Sequence, residues 1–61
     1  MTIQELYALC DNLTHLSYIE LRRVSGEILD EGHYTYLHTK WSEHRIKGFM
    51  VEEDGTVVIY L

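Results

Sequence analysis

The closing stretch "RIKGFMVEEDGTVVIYL", residues 45–61, constrains the fold more than any other part of the chain. Its "EDG" predicts a type I turn with glycine at the left-handed bulge position, followed by a strand rich in β-branched residues. In that register one face carries Phe49, Val51, Val57, Ile59 and Leu61, and the other carries Met50, Val58 and Tyr60. The alternative, a two-residue "DG" turn, would shift the cross-strand partners by one residue. Under either register, both faces of this hairpin carry apolar side chains.

The first residues predict a helix. Thr2 followed by Glu5 fits a capping box, in which each side chain bonds a free backbone amide of the other residue. The predicted apolar stripe consists of Ile3, Leu6, Cys10 and Leu13, widened by Tyr7 and Leu9. The predicted solvent side consists of Gln4, Glu5, Ala8 and Asp11. Asp11 and Asn12 are poor helix formers and are expected to end the helix.

From Ser17 the apolar pattern changes to a period of two. "YIELRRV" puts Ile19 and Leu21 on one side of a strand and Glu20 and Arg22 on the other. "VSGE" predicts a tight turn at Gly26, and "EILDE" predicts the returning strand. Opposite charges of "RR" and "EILDE" are expected to pair across the two strands.

Residues 33–41, "HYTYLHTKW", fit two interpretations. Their alternation of aromatic and polar residues can extend the second strand past a bulge at Gly32, or the stretch can be a loop. "TKWSEH" is short for a helix, although a single turn is possible. Residues 38–44 are predicted to be a connection.

Together these elements predict one α+β domain over residues 1–61, with an N-terminal helix packed on a three- to four-stranded antiparallel β-sheet. One helix can cover only one face of such a sheet. The side chains expected on the uncovered surface are Tyr34, Tyr36, Met50, Val58 and Tyr60. Exposed apolar patches usually mark a contact surface, so this pattern favours a binding protein.

Charge and size narrow the function further. Ten acidic and five basic side chains give a net charge of -5, which disfavours binding to nucleic-acid phosphates and suits a basic partner. A chain of 61 residues buries only about 60% of its unfolded surface, so a homodimer or a stable partner would help it fold. The single Cys10, the polar opening "MTIQEL" and the lack of a long apolar run predict a cytoplasmic protein.

The sequence offers little support for a metal site or a catalytic site. His33, His38 and His44, with Cys10 and His15, lack the C-x-x-C, H-x-x-x-H and HExxH spacings of metal ligands. The serines lack the G-x-S-x-G context of a nucleophile, and Cys10 lies on the predicted buried stripe. We therefore predict no metal, no cofactor and no enzymatic activity.

Two acidic clusters have a structural and a functional interpretation. They consist of Glu52, Glu53 and Asp54 at a hairpin tip, and of Glu27, Asp30 and Glu31. Turn chemistry and solubility explain both. The alternative is that both clusters face a basic groove on a partner and imitate the phosphates of a nucleic acid.

A second class of function is binding of single-stranded nucleic acid. Its basic residues would be Arg22, Arg23, Lys40, Arg45 and Lys47, interleaved with Tyr18, Tyr34, Tyr36 and Trp41. Aromatic side chains on a sheet can stack on bases. The acidic net charge argues against this class, and so does the lack of an RNP-like motif.

The opening "MTIQEL", the central "SGEILDEG" and the closing "EEDGTVVIYL" resemble short proteins of phages and integrative elements of Gram-positive gut bacteria. Residues 33–45 depart from this group, in which an acidic short helix is commoner. Small acidic phage proteins include anti-CRISPR and other inhibitors that occupy the surface of a host enzyme. The resemblance implies an inhibitor of that kind and carries over no catalytic residues.

The uncovered apolar face predicts a non-enzymatic binding module, and the resemblance implies that it is of viral type and inhibits a host protein or nucleoprotein complex. The predicted contacts are the aromatic residues Tyr34, Tyr36, Trp41 and Tyr60. Glu52, Glu53 and Asp54 are expected to steer the approach. A purely structural homodimer is a third class, and a membrane partner is not expected.

Overall fold

The computed structural model describes residues 1–10 and 17–61, and at residues 38 and 39 only the backbone. The helices within these ranges are α1 (Ile3–Leu9) and α2 (Tyr34–Trp41). Its four strands are β1 (Tyr18–Arg22), β2 (Ile28–His33), β3 (Gly48–Val51) and β4 (Val57–Tyr60). The predicted α+β class, with an N-terminal helix and a four-stranded sheet, is confirmed.

The four strands form one sheet in the order β2-β1-β4-β3. Two antiparallel hairpins, β1–β2 and β3–β4, lie side by side, and β1 and β4 join them as a parallel pair. This parallel pair was not part of the prediction. A parallel pair needs a long connection, and here β2, α2 and β3 intervene between β1 and β4. The arrangement places the most apolar strand, β4, at the centre, where neighbours cover it on both sides.

The core lies on one face of the sheet, beneath both helices. The two central strands are in register there, with Ile19 opposite Val57 and Leu21 opposite Ile59. The core also contains Ile3, Leu6 and Tyr7 from α1 and Leu37 from α2. Burying such side chains contributes roughly 1.5–3 kcal/mol each, so this single layer provides most of the stability.

Helix α1 begins as predicted. The Thr2 hydroxyl accepts the Glu5 amide at 3.2 Å, and the Glu5 carboxylate accepts the Thr2 amide at 2.8 Å. The next two amides of the first turn, those of Ile3 and Gln4, donate to backbone carbonyls of the segment after α2. All four amides are therefore satisfied, and the helix start is fixed to the α2–β3 connection.

The apolar stripe of α1 is confirmed only in part. Ile3, Leu6 and Tyr7 are buried and Cys10 packs against the core, but Leu9 is 71% exposed. The prediction for Leu9 is wrong, because its position on the short helix faces away from the sheet. Helix α1 ends at Leu9, with Cys10 as its C-cap. The predictions for Asp11, Asn12 and Leu13 lie outside the described residues.

Both hairpin turns form where the glycines predict them. Gly26 has φ 103° and Gly55 has φ 91°, the left-handed conformation that glycine adopts at no steric cost. The two predicted faces of the second hairpin are confirmed, since Phe49 lies opposite Ile59 and Met50 opposite Val58.

The β1–β2 ladder of the first hairpin contains a register shift, but not at the position predicted from the sequence. The register of the β1–β2 ladder shifts between Leu21 and Arg22, opposite residues 28–30. Gly32 pairs regularly with Ile19, so the prediction of a bulge at Gly32 is wrong. Cross-strand charge pairing is limited to the Arg23–Glu27 ion pair at the turn, at 3.1 Å. Arg22 instead bonds Glu20 on its own strand.

Residues 34–41 form helix α2, so neither the strand extension nor the loop is correct, and the predicted connection over 38–44 is wrong for residues 38–41. The helix follows β2 without a loop. Gly32, with φ 149°, lies under the Tyr36 ring, and a Cβ at this position would meet Tyr36 Cδ2 at 3.0 Å. Only glycine allows this close approach of α2 to β2.

Candidate functional site

The candidate site is the sheet face opposite the helices. Alternation along the strands, with the observed register, assigns a common set of side chains to it. We call this surface the open face, and it consists of Tyr18, Glu20, Arg22, Ile28, Glu31, His33, Met50, Val58 and Tyr60. Neither α1 nor α2 covers it, because both helices pack on the core side.

Polar contacts order one half of the open face. The Tyr18 hydroxyl donates to Glu31 Oε1 at 2.9 Å, and the Tyr18 ring meets the His33 ring edge-on at 5.5 Å. The hydrogen bond to Glu31 raises the pKa of Tyr18 above its ordinary value, so this phenol is neutral at physiological pH. Arg22 Nε donates to Glu20 Oε1 at 2.9 Å. These bonds hold the aromatic ring and the charges in fixed positions.

Apolar side chains lie around these polar groups. Tyr18 is 38% exposed, Ile28 is 49% exposed and Met50 is 47% exposed. Val58 was expected to be exposed, but it is fully buried; its neighbours in the register are Glu20 and Met50, and neither of the described helices lies over it. The exposed apolar side chains of the open face therefore lie around its middle and not at Val58.

One end of the open face carries a shallow groove. Its volume is about 330 Å³, and it is lined by Val24, Lys47, Gly48 and Tyr60. Tyr60 is half-buried, and its hydroxyl donates to Met50 Sδ at 3.7 Å. The groove offers an apolar floor and one cation, which suits a side chain of a partner protein better than a reaction centre.

The four predicted contact aromatics do not share a surface. Tyr60 lies on the open face, but Tyr34, Tyr36 and Trp41 lie on α2, on the opposite side of the sheet. The assignment of Tyr34 and Tyr36 to the uncovered sheet surface is wrong, because the stretch that carries them is a helix and not a strand. Trp41, a predicted contact in the predicted connection, lies on the same helix.

Two of these α2 rings stabilise the protein itself. Tyr34 meets the Tyr7 ring edge-on at 4.7 Å, and both Tyr34 and Trp41 pack against the core. Trp41 Nε1 donates to Asp30 Oδ2 at 2.9 Å. Tyr36 is exposed, with the Lys40 ammonium 4.3 Å above its ring and bonded to its hydroxyl at 2.8 Å. Of the three, Tyr36 remains the one with an exposed ring.

The acidic clusters serve structural roles at several positions. Asp54 Oδ1 accepts the Thr56 amide at 2.9 Å, which stabilises the β3–β4 turn and lowers the pKa of Asp54. Glu53 is exposed beside it, and Glu52 is half-buried. In the second cluster, Glu27 bonds Arg23, Asp30 bonds Trp41 and Glu31 bonds Tyr18. Glu52 and Glu53 are thus the tip carboxylates most available for steering.

Three of the five basic residues of the nucleic-acid alternative are engaged within the chain. Arg22 bonds Glu20, Arg23 bonds Glu27, and Lys40 lies on Tyr36. No strand presents an uninterrupted row of aromatic and basic side chains within the described residues.

Over the described ranges 1–10 and 17–61, no three histidine, cysteine or carboxylate side chains gather as a metal site. His33 contacts Tyr18, and His44 contacts Trp41 with ring centroids 4.8 Å apart. His15 and the side chain of His38 lie outside the described part. Neither α1 nor α2 is long and apolar enough to cross a membrane.

Sequence reasoning placed Met50 on the uncovered surface, but it missed the exposure of Phe49 and Val51 on the same strand. Phe49 and Val51 are 44% and 45% exposed on the core side, and Met50 is similarly exposed on the open face, because β3 is an edge strand. The hairpin pattern gives the two faces of β3 and β4, but it does not tell which strand lies at the edge. The stronger β-branched content of "VVIY" is the one signal that favours β4 for the centre.

Comparison with protein-family models, with curated proteins and with solved structures gives no match to this chain.

Proposed function

We propose that this protein is a non-enzymatic protein-binding module that presents its open face to a partner. The observation that carries the proposal is the placement of both helices on one side of the sheet, which leaves Tyr18, Ile28 and Met50 exposed on the other. These three side chains are exposed apolar groups on three strands of the same sheet, set among ordered polar side chains, and such a mixture of apolar and polar groups is usual in protein interfaces.

Charge indicates the kind of partner. The chain carries a net charge of -5, and Glu31 lies on the open face while Glu53 lies at the hairpin tip. Such a surface attracts a protein with a basic patch and accelerates its approach at low salt. Inhibition of a host defence or nucleic-acid-handling complex in the cytoplasm is the biological role that the sequence resemblance adds to this proposal.

The test compares two surfaces of the same protein. Ile28→Lys places a charge on the open face, and Leu9→Lys places the same charge on the exposed outer side of α1. We expect tagged wild-type protein and the Leu9→Lys variant to recover one partner from host lysate, and Ile28→Lys to lose it. Both positions are at least 49% exposed, so both variants should fold, which circular dichroism checks.

Equal recovery by all three proteins, or loss with Leu9→Lys alone, would refute the open face as the binding surface. A titration with single-stranded DNA and RNA at near-physiological salt tests the alternative class. We expect no tight binding there, because Arg22, Arg23 and Lys40 are already engaged within the chain.

A further inference from the structure

Strand β3 is an edge of the described sheet, and its own side chains do not protect it against pairing with another chain. Gly48–Val51 contains no charged residue and no proline, and Phe49, Met50 and Val51 are all exposed. The other edge strand, β2, carries Asp30 and Glu31 and an irregular ladder, which are features that discourage pairing. The two edges of this sheet therefore differ in their ability to accept a further strand.

The pairing of β3 with β4 determines which backbone amides and carbonyls of β3 point away from β4. Glu52 donates its amide to the Thr56 carbonyl at 2.8 Å, and hydrogen-bonded positions alternate along an antiparallel ladder. Met50 and Val58, which are partners in the register, therefore form two backbone hydrogen bonds with each other. The amides and carbonyls of Phe49 and Val51 point away from β4, towards the edge that no described strand covers.

We propose that β3 pairs with β3 of a second copy of this chain, antiparallel and centred on Met50. In this register Phe49 of each copy lies opposite Val51 of the other, and the two pairs exchange four backbone hydrogen bonds. The two Met50 side chains meet at the two-fold axis, which is normal to the sheet. Aromatic and β-branched side chains are a favourable cross-strand pair, and here the pair occurs twice.

Charge complementarity selects a second copy in this orientation. Arg45 and Lys47 precede β3, while Glu52 and Glu53 follow it. Antiparallel pairing brings the basic end of each strand beside the acidic end of the other. Parallel pairing would place like charges together at both ends.

The product is a continuous eight-stranded sheet with both sets of helices on one side and both open faces on the other. A contact of four residues per chain is small, so the association should be weak and concentration-dependent. The dimer does not depend on the proposed function, although it would present two open faces to a partner at once.

The test is the mass of the full chain by sedimentation equilibrium, from micromolar to millimolar concentration. We expect wild-type protein to pass from one to two chain masses. Met50→Lys and Met50→Glu each place like charges opposite one another at the two-fold axis, so each variant alone should stay monomeric. An equimolar mixture of the two should recover the dimer, because lysine then faces glutamate.

The control is Ile28→Lys, which carries the same charge on the open face away from β3 and should dimerise like the wild type. As a second measurement, amide exchange at Phe49 and Val51 should slow as concentration rises. A constant single-chain mass would overturn the proposal. So would dimerisation of Met50→Lys alone, or an equimolar mixture of the two Met50 variants that stays monomeric.

Discussion

At the scale of single residues, Tyr7 has a ring that packs in the core and a buried hydroxyl without a hydrogen-bond partner among the described residues. Its ring is buried against Tyr34. Burial raises the pKa of Tyr7 to about 12 from its ordinary value of 10.0. The ring therefore stabilises the core, while the hydroxyl contributes little.

Tyr7→Phe tests this interpretation. We expect the free energy of unfolding at neutral pH to stay the same or to rise by up to about 1 kcal/mol, because an unsatisfied buried hydroxyl is removed. The raised pKa means that the folded state favours the neutral phenol of Tyr7. The stability that this shift adds to the free energy of unfolding is fully present below about pH 10 and is lost as pH rises towards 12. The phenyl ring of the variant cannot ionise, and urea unfolding should show a smaller alkaline loss of stability in the variant than in the wild type.

The titration of Tyr18 is common to both proteins, so the difference between them isolates Tyr7. A loss of more than about 1 kcal/mol at neutral pH would contradict the assignment, since that is the typical contribution of a hydrogen bond.

At the scale of elements, the start of α1 links the helix to the rest of the chain. The capping box satisfies two amides, and the carbonyls of Ser42 and His44 accept two more. A helix of seven residues is too short to be stable alone, so these contacts and the core side chains decide whether it forms.

Thr2→Ala should therefore lower the free energy of unfolding by about 1 kcal/mol, the usual cost of losing an N-cap hydroxyl. Thr2→Ser keeps the hydroxyl and should retain most of the stability. Chemical denaturation of the three proteins gives the comparison. If serine and alanine destabilise equally, the cap hydroxyl is not the cause, and packing of the threonine methyl is the alternative.

Local patterns predicted most of the elements, since their causes lie within a few residues. The capping box, the glycine turns at Gly26 and Gly55, and the alternation of Ile19 and Leu21 each act over one turn or one strand. Helix α2 was missed because its aromatic residues favour strands. The spacing of Tyr34, Leu37 and Trp41 is nevertheless helical, and packing on the core decides between the two.

The parallel β1–β4 pair and the sites of exposure depend on contacts far apart in the chain. Leu21 meets Ile59 across 38 positions of the sequence, and no local signal encodes that choice. For the same reason, the sequence could place only part of the candidate site. Tyr60 could be placed on the uncovered surface from the hairpin register, whereas Tyr34 and Trp41 could not be placed without knowing that α2 is a helix.

At the scale of the whole molecule, one apolar layer stabilises the fold, and neither described helix covers the other face of the sheet. A 61-residue chain has enough apolar side chains for a single core layer, and both helices are used to cover it. Apolar side chains on the open face and on β3 then remain in contact with water. We infer that binding, to a partner or to a second copy, is how this fold uses them.

The most direct test of this account is hydroxyl-radical labelling of the dilute full chain, read out residue by residue by mass spectrometry. Tyr18 and Tyr7 have the same intrinsic reactivity, yet the structure exposes 38% of Tyr18 and 4% of Tyr7. With rates normalised to the unfolded chain, we expect Tyr18 to be modified several times faster than Tyr7. Equal protection of the two tyrosines would show that the open face is covered within the chain itself, and would contradict the account.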